Sequence, residues 1–560
     1  MPIDDAQVYL PELWHTHARY YPDKEAVVCG QERRTWGDFD ANMSRVANRL
    51  IAAGIGRGDR VAVLMANSVE ILEVMFGIVR AGACVVPLSG LLTAEQIETL
   101  VDDCDAVALF CSAEFREPVE EIRGALGKVR ADGFIAFGFS AAGWQGYDDF
   151  LTGASSDMPA VSYSLTDPFN IIYSSGTTGL PKGIVQSHRA RHHFAYSNTV
   201  ELRFHSAARV LTTTALYSNG TWLMVLPALM AGAALVVLPE FSPGLFLETV
   251  VREKITHTFM VPTQFIVTLA EPGLDDHDFS GLESVLVAGS PLRPDTKAEV
   301  LARLTPNLTE LYGFSEGAAT MIKPHQHALK PGSVGTPVLG FDIRIIDDEG
   351  NEVPAGQAGE IASYGGGLMS EYHGRPDETE AIIWRDPAGR SFLLSGDIGK
   401  LDEDGFLYIL DRKKDMIISG GFNVFPADIE SIVGEHADVL DLPVPTHASI
   451  RHSVPDLYLE RCGPHDQCLE IAFTSQKCGG AVRDHAHQKR LLHLPQVLFV
   501  SVSRDAALGA RSRYPVDIDE YVALPGCGNA ELVAVLYKGG PISTGKKDRY
   551  RCIVRSSGSS

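Results

Sequence analysis

Short apolar runs alternate with helix-like patterns twice along this chain, and no other feature restricts its fold so tightly. Before position 160, residues 60–64, 83–87 and 106–111 read as strands. An amphipathic helix is expected over residues 69–81, and a second helix ends at residues 97–102. Between positions 205 and 320 the rhythm returns, with strands at 209–213, 234–238, 258–261 and 284–287. Aliphatic runs without polar alternation fit strands covered on both faces. Strand and helix in turn give a parallel sheet, since each crossover helix carries the chain back to the starting end. From 341 to 410 the pattern changes to short strands and turns, at 341–346, 359–363 and 406–410. The expected fold class is α/β, with helix-covered parallel sheets and a smaller strand-rich lobe.

The segment Ser174-Ser175-Gly176-Thr177-Thr178-Gly179-Leu180-Pro181-Lys182-Gly183 follows a further buried strand at 169–173. Its three glycines let backbone N–H groups close on an anion. Its four hydroxyls add neutral donors, and Lys182 adds a mobile positive charge. That is the make-up of a phosphate cradle. A Walker A loop is excluded, because Pro181 stands five residues past Gly176, where a Gly-Lys-Ser/Thr run would have to begin.

The bulk of the chain sets outer bounds. With 48 Lys+Arg against 71 Asp+Glu the net charge is −23, which argues against nucleic acid or an anionic membrane surface as a general partner. No apolar run reaches the roughly 18–20 residues of a membrane span. The start, Met-Pro-Ile-Asp-Asp-Ala, lacks a basic and apolar leader. Nine cysteines without paired spacing fit a reducing compartment, so a cytoplasmic protein is expected. Homodimerisation is left open.

Further motifs follow the loop in order. Val287-Ala288-Gly289-Ser290-Pro291-Leu292 precedes Leu311-Tyr312-Gly313-Phe314-Ser315-Glu316-Gly317. Then come Ser333-Val334-Gly335, Gly359-Glu360-Ile361 and Ser395-Gly396-Asp397. Tyr408-Ile409-Leu410-Asp411-Arg412-Lys413-Lys414-Asp415 leads into Gly420-Gly421-Phe422-Asn423-Val424-Phe425-Pro426 and Ile429-Glu430. In order and spacing these motifs resemble the adenylate-forming superfamily: acyl- and aryl-CoA synthetases, peptide-synthetase adenylation domains and luciferases. The likeness covers the chain to about residue 440.

The resemblance implies a large adenylate-forming N-terminal domain (two helix-covered sheets plus a small β-barrel lobe), spanning residues 1–411. A hinge and the start of a small C-terminal domain follow at 412–440, and a smaller, atypical α+β region at 441–560. It also implies a chemistry. ATP activates a carboxylic acid as acyl-AMP, with transfer to the thiol of CoA. A carrier-protein thiol is the alternative acceptor, and a nucleotide-binding protein without catalysis is the alternative to an enzyme.

By the same resemblance Ser174, Ser175, Gly176, Thr177, Thr178, Gly179 and Lys182 would embrace the phosphates. Glu316 would hold Mg²⁺, and Ser315 would bond near the α-phosphate. Asp397, after a tight Ser-Gly turn, would accept from the ribose hydroxyls, with Arg412 donating. Gly289, Ser290 and Pro291 with Tyr312 and Gly313 would form the adenine slot. Lys414 would be the pivot of the small domain, and Ser419, Gly420 and Gly421 the turn beside the pantetheine arm. The acyl pocket is expected at Tyr217, Asn219, Trp222, Val261 and Gly317. It carries no acidic residue to pair with an amino group, which points to a fatty or aryl acid.

The likeness fades after about Val439. The family's terminal Pro-x-Thr-x-x-Gly-Lys element supplies a catalytic lysine. Here Ala510 fills that position in the best frame, and Pro541-Ile542-Ser543-Thr544-Gly545-Lys546 offers Lys546 one residue short. Residues 441–560 hold 15 Lys+Arg against 12 Asp+Glu, unlike the acidic remainder, and five of the nine cysteines. Segments at 494–499, 514–521 and 531–537 resemble the C-terminal strands of ubiquitin-specific proteases, without that family's Cys box. Three origins stay open for this region: a divergent lid domain, a replacement module or an unnatural join.

Overall fold

The computed structural model describes residues 7–174 and 181–413. Beyond them it gives the backbone of the strands Ile417–Ser419, Phe422–Val424, Asp456–Arg461, Leu469–Thr474, Leu498–Phe499, Glu531–Leu536 and Cys552–Arg555. Two compact units emerge. One takes Met1–Gln357, Ile361–Ser395 and Leu401–Tyr408; the other takes Ala358–Glu360, Gly396–Lys400 and the chain from Ile409 onward.

The first unit contains two large mixed sheets. In one, eight strands run in the order Glu371–Tyr372, Lys182–Ser187, Pro168–Ser174, Cys84–Pro87, Arg60–Leu64, Ala106–Ser112, Phe134–Phe137 and Gln145–Gly146. The other holds nine: Thr336–Pro337, Ala318–Ile322, Leu308–Phe314, Ser284–Val287, His257–Met260, Arg209–Thr212, Ala234–Val237, Glu25–Cys29 and Glu32–Thr35. The strands expected from the apolar runs are present within one or two residues. Val61, Ala62, Val63, Val285, Leu286 and Val287 are all buried, as strands covered on both faces require.

The sheets are not wholly parallel, and the reason is local. Each has a parallel middle, but Pro168–Ser174 turns straight back as Lys182–Ser187, and Leu308–Phe314 turns back as Ala318–Ile322. A crossover helix needs a dozen or more residues. Ser174 pairs with Lys182 and Phe314 with Ala318, so neither connection is long enough, and both form antiparallel hairpins.

The helix expected over 69–81 is Val69–Arg80, and it is buried on nearly every side rather than amphipathic. Its two deeply buried charges are satisfied inside. Arg34 and Asn42 both donate to Glu73, at 2.9 and 2.7 Å, and Arg80 pairs with Asp40 at 2.6 Å. Burial still outweighs these partners at Glu73 and raises its carboxyl to about 7. A third, five-stranded sheet uses Phe341–Ile346, Gly359–Gly365, Ser391–Leu401, Ile383–Arg385 and Leu407–Arg412. Among the described residues no helix is long and apolar enough to cross a membrane, and Cys29, Cys84, Cys104 and Cys111 are free thiols.

Candidate active site

The two hairpins converge through one intervening segment. Residues 366–373 lie between them and bond to both. The Ser370 and His373 amides donate to the Val185 and Gly183 carbonyls, at 2.8 and 2.7 Å. The Met369 amide donates to the Glu316 carbonyl at 2.6 Å. The Gln186 side chain completes the tie, its Nε2 donating to the Ser315 carbonyl at 2.8 Å. These bonds tie the return strand that begins at Lys182 to the turn that holds Glu316.

Lys182 and Glu316 are joined by residues the sequence did not mark. Lys182 Nζ pairs with Glu378 Oε2 at 2.5 Å and lies 4.7 Å from the centre of the Tyr372 ring. The Tyr372 hydroxyl donates to Glu316 Oε1 at 2.7 Å. Burial, reinforced by the Glu316 carboxylate, pushes the Tyr372 phenol well above its ordinary value, so it stays a donor. The Lys182 ammonium holds the Glu378 carboxyl below the usual range. Glu378 stands in the helix Pro376–Glu380, where no local motif announces it. The pairing of Glu371 with Val185 and of Tyr372 with Ile184 brings that helix beside the return strand that begins at Lys182.

Glu316 is in a hairpin turn. Gly317 makes the turn possible: its φ is +124°, and a Cβ there would lie 2.6 Å from Leu368 Cα and 2.7 Å from the Gly367 carbonyl oxygen. Gly313 is equally constrained, since a Cβ would meet the Ala318 carbonyl oxygen at 2.4 Å.

The expected adenine and acid residues come from loops at the carboxyl ends of adjacent parallel strands. Tyr217 and Asn219 follow Arg209–Thr212; Val261 follows His257–Met260; Gly289, Ser290 and Pro291 follow Ser284–Val287. Tyr312 lies on the neighbouring strand Leu308–Phe314. Open α/β sheets bind ligands at this edge. Gly289, Ser290 and Pro291 are exposed there, and a Cβ on Gly289 would sit 3.7 Å from Val261 Cγ1.

Two expectations need correcting. Trp222 is a core residue, not a pocket wall: its ring is fully buried, packs edge-on against Phe76 and Phe169, and gives its indole N–H to the Leu216 carbonyl at 2.8 Å. The indole is pulled inward because it opens the helix Trp222–Ala231, whose apolar face closes the main core. Asp397 does not follow a tight turn. It lies within the long strand Ser391–Leu401, where Gly396 takes a φ of +75° without ending the strand.

In the second unit Arg412 Nε lies 3.9 Å from Asp397 Oδ1. Glu360 accepts from the Gly396 amide at 3.2 Å and from Lys413 Nζ at 2.8 Å, and the Lys413 amide donates to the Gly396 carbonyl at 2.7 Å. A carboxylate and a guanidinium are thus held side by side. Ser419 faces Phe422 across the Ile417–Ser419 and Phe422–Val424 pair. Ser175, Gly176, Thr177, Thr178, Gly179, Lys414, Gly420, Gly421 and Lys546 lie outside the described residues, as do most of the segments likened to ubiquitin-specific proteases.

Residues 14–373 match the AMP-binding enzyme family. This chain belongs to that family. The adenylate-forming resemblance drawn from the motifs therefore stands, and the protein is an AMP-forming acid–thiol ligase. Among curated relatives it is 32% identical over 440 residues to an indoleacetate–CoA ligase of Aromatoleum aromaticum, covering 78% of this chain and 84% of the relative. It is 30% identical over 475 residues to the fatty acid–[acyl-carrier-protein] ligase ScoC of Streptomyces coeruleorubidus, covering 82% and 86%. Among solved structures it resembles the inhibitor-bound N-terminal domain of FACL13 from Mycobacterium tuberculosis. The TM-score is 0.66 at 27% identity, with 72% of this chain and all of that chain covered.

The donor set of this AMP-binding enzyme fits a magnesium nucleotide. Mg²⁺ is commonly held by one or two carboxylates, with phosphate and water oxygens completing an octahedron. Glu316 has one oxygen engaged by Tyr372 and a second with no partner among the described residues. Lys182 supplies a positive charge over the ring of the same Tyr372.

Proposed function

We propose that this chain activates a fatty or aryl carboxylic acid as its adenylate and passes the acyl group to the thiol of CoA. One observation supports this reading above the rest: Lys182 and Glu316, on hairpins of different sheets, are brought together through Tyr372. A carboxylate is a poor acyl donor, because its leaving group would be oxide. Attack of a carboxylate oxygen on the α-phosphorus expels pyrophosphate and leaves AMP as the new leaving group. Such a step is catalysed mainly by position and by charge set against the departing phosphates.

In this reading Lys182, with Thr177, Thr178 and Gly179, follows the pyrophosphate charge. Glu316 would hold Mg²⁺, which would supply positive charge to the phosphate oxygens. Ser315 donates to the α-phosphate, Asp397 and Arg412 clasp the ribose, and Tyr312 stacks beneath the adenine over Gly289, Ser290 and Pro291. The apolar setting of Val261 and the small residue Gly317 favour an alkyl or aryl acid. Lys414 serves as the pivot for thiol transfer, and Lys546 supplies the terminal positive charge.

The test is carboxylate-dependent ATP–pyrophosphate exchange over a panel of fatty and aromatic acids, with and without CoA. Exchange with one acid class, followed by CoA-dependent AMP release, is the expected result. Exchange without any response to CoA would move the acceptor to a carrier protein, the reading that ScoC favours. ATP binding without exchange for any acid would leave a nucleotide-binding protein in place of a ligase.

A further inference from the structure

Arg191 is a buried cation without a buried anion. It stands early in the helix His188–Glu201, capped by Ser187, whose Oγ accepts from the Ala190 amide at 3.2 Å. A positive charge so near a helix N-terminus is opposed by the helix dipole. Its side chain is 1% exposed, and among the described residues no carboxylate pairs with it. Burial alone lowers its guanidinium to about 9, which still leaves it charged at neutral pH. Two neutral amides face it instead. Nε donates to Asn170 Oδ1 at 2.7 Å, and Nη2 donates to Asn219 Oδ1 at 2.9 Å. The Trp222 and Phe194 rings flank the guanidinium at 4.8 and 5.2 Å.

An arrangement that costs this much buried charge has a directional consequence. Arginine only donates, so it fixes which end of each amide it meets. Asn219 must present its oxygen to Arg191 and its NH₂ the other way. Asn219 is half-buried at the carboxyl edge of the nine-stranded sheet, where the acid is expected, and its Nδ2 has no partner among the described residues. Its exposed end therefore offers donors only, polarised by a cation one bond behind them.

We propose that Asn219, clamped by Arg191, is a specificity-determining residue that selects acids bearing a hydrogen-bond acceptor, such as a hydroxyl, carbonyl or ether oxygen, beyond the carboxylate itself. This rests on the ligase reading above. A purely hydrocarbon acid would strip water from the Asn219 amide and return nothing, and a donor left unpaired on burial lowers affinity by about 10- to 100-fold. Arg191 acts as a positioning residue, through Asn219, and does not touch the acid.

The test uses the full chain and pairs of acids matched in size: cinnamic acid against its ring-hydroxylated isomers, and fatty acids of one chain length with and without a single hydroxyl or oxo group. ATP–pyrophosphate exchange gives kcat/KM for each, in the parent protein and in Asn219→Leu and Arg191→Met. At least one acceptor-bearing acid is expected to exceed its hydrocarbon partner by about 10- to 100-fold, mainly through KM. Both variants should bring that ratio close to one. If Arg191→Met fails to fold by thermal melting, Asn219→Leu decides alone. A parent ratio near one for every pair, or a ratio that survives Asn219→Leu, overturns the proposal. No exchange with any acid removes the ligase reading itself, and the proposal with it.

Discussion

In the eight-stranded sheet the hairpin at 168–187 places Lys182 at the start of its return strand; in the nine-stranded sheet the hairpin at 308–322 places Glu316 inside its turn. Both break a parallel sheet at the point where a crossover would otherwise begin. Tyr372 touches both residues, but their main anchors differ. Lys182 is held by side chains, the Glu378 carboxylate and the Tyr372 ring, both on a distant segment. Glu316 shares the Tyr372 side chain through its hydroxyl but is held chiefly by backbone: Gly317 has no room for a Cβ, and the Met369 amide closes on the Glu316 carbonyl. In the proposed reaction the cation that follows the departing phosphate is tethered by side-chain contacts. In the same proposal the carboxylate that would hold Mg²⁺ is fixed by the course of the chain.

Removing the tethered group itself should have the largest effect. Lys182→Ala is expected to slow ATP–pyrophosphate exchange by about 10²- to 10³-fold, the usual consequence of deleting a charge aimed at a developing anion. Thermal melting should barely change, because the lysine is held only by a half-exposed carboxylate and the face of one ring. A large fall in Tm would show that Lys182 is structural, and the contrast between the hairpins would fail.

Gly317→Ala attacks the other anchor. The positive φ and the clash with Leu368 and Gly367 should displace the turn and cost about 2–4 kcal/mol of stability by denaturant unfolding, with exchange falling alongside. Wild-type stability in this variant would mean the turn relaxes freely.

Acid should loosen the side-chain-anchored hairpin. Its return strand runs into His188, which is 2% exposed, ringed by Tyr9, Tyr163 and Phe169, and lowered by burial from 6.5 to about 4. The unfolded chain takes up that proton between these two values and the folded chain does not. The stability tied to a neutral His188 is therefore complete above pH 6.5 and lost as pH falls toward 4, to the extent of ~3 kcal/mol. His188→Phe should flatten this limb of a pH–stability curve; an unchanged slope would assign it to other groups.

Glu378→Gln should have the smallest effect. Freed from an exposed ion pair, Lys182 is expected to bind nucleotide a few-fold more tightly, read as a lower KM for ATP. A higher KM would mean that Glu378 positions the lysine instead of competing with the phosphate.

Strand positions, the parallel middle of both sheets and the residue types at the turns were all legible in the amino-acid sequence. Those depend on apolar runs and on glycines, hydroxyls and charges only a few residues apart. The hairpin at Lys182 was legible in part, as a strand and a loop, although the antiparallel return was not. Tyr372, Glu378 and Gln186 gave no local signal. Each acts by meeting a residue remote in sequence, and only strand pairing such as Tyr372 with Ile184 decides that meeting. Trp222 was misplaced for the same reason: an aromatic beside a pocket segment reads alike whether its ring faces ligand or core, and packing against Phe76 and Phe169 chose the core. Arg191 shows the limit most plainly. As a letter in a basic run it looks solvated, yet the helix that Ser187 caps buries it, and two amides and two aromatic rings, but no carboxylate among the described residues, meet its charge. Local pattern set what each segment is; long-range packing set what each side chain faces.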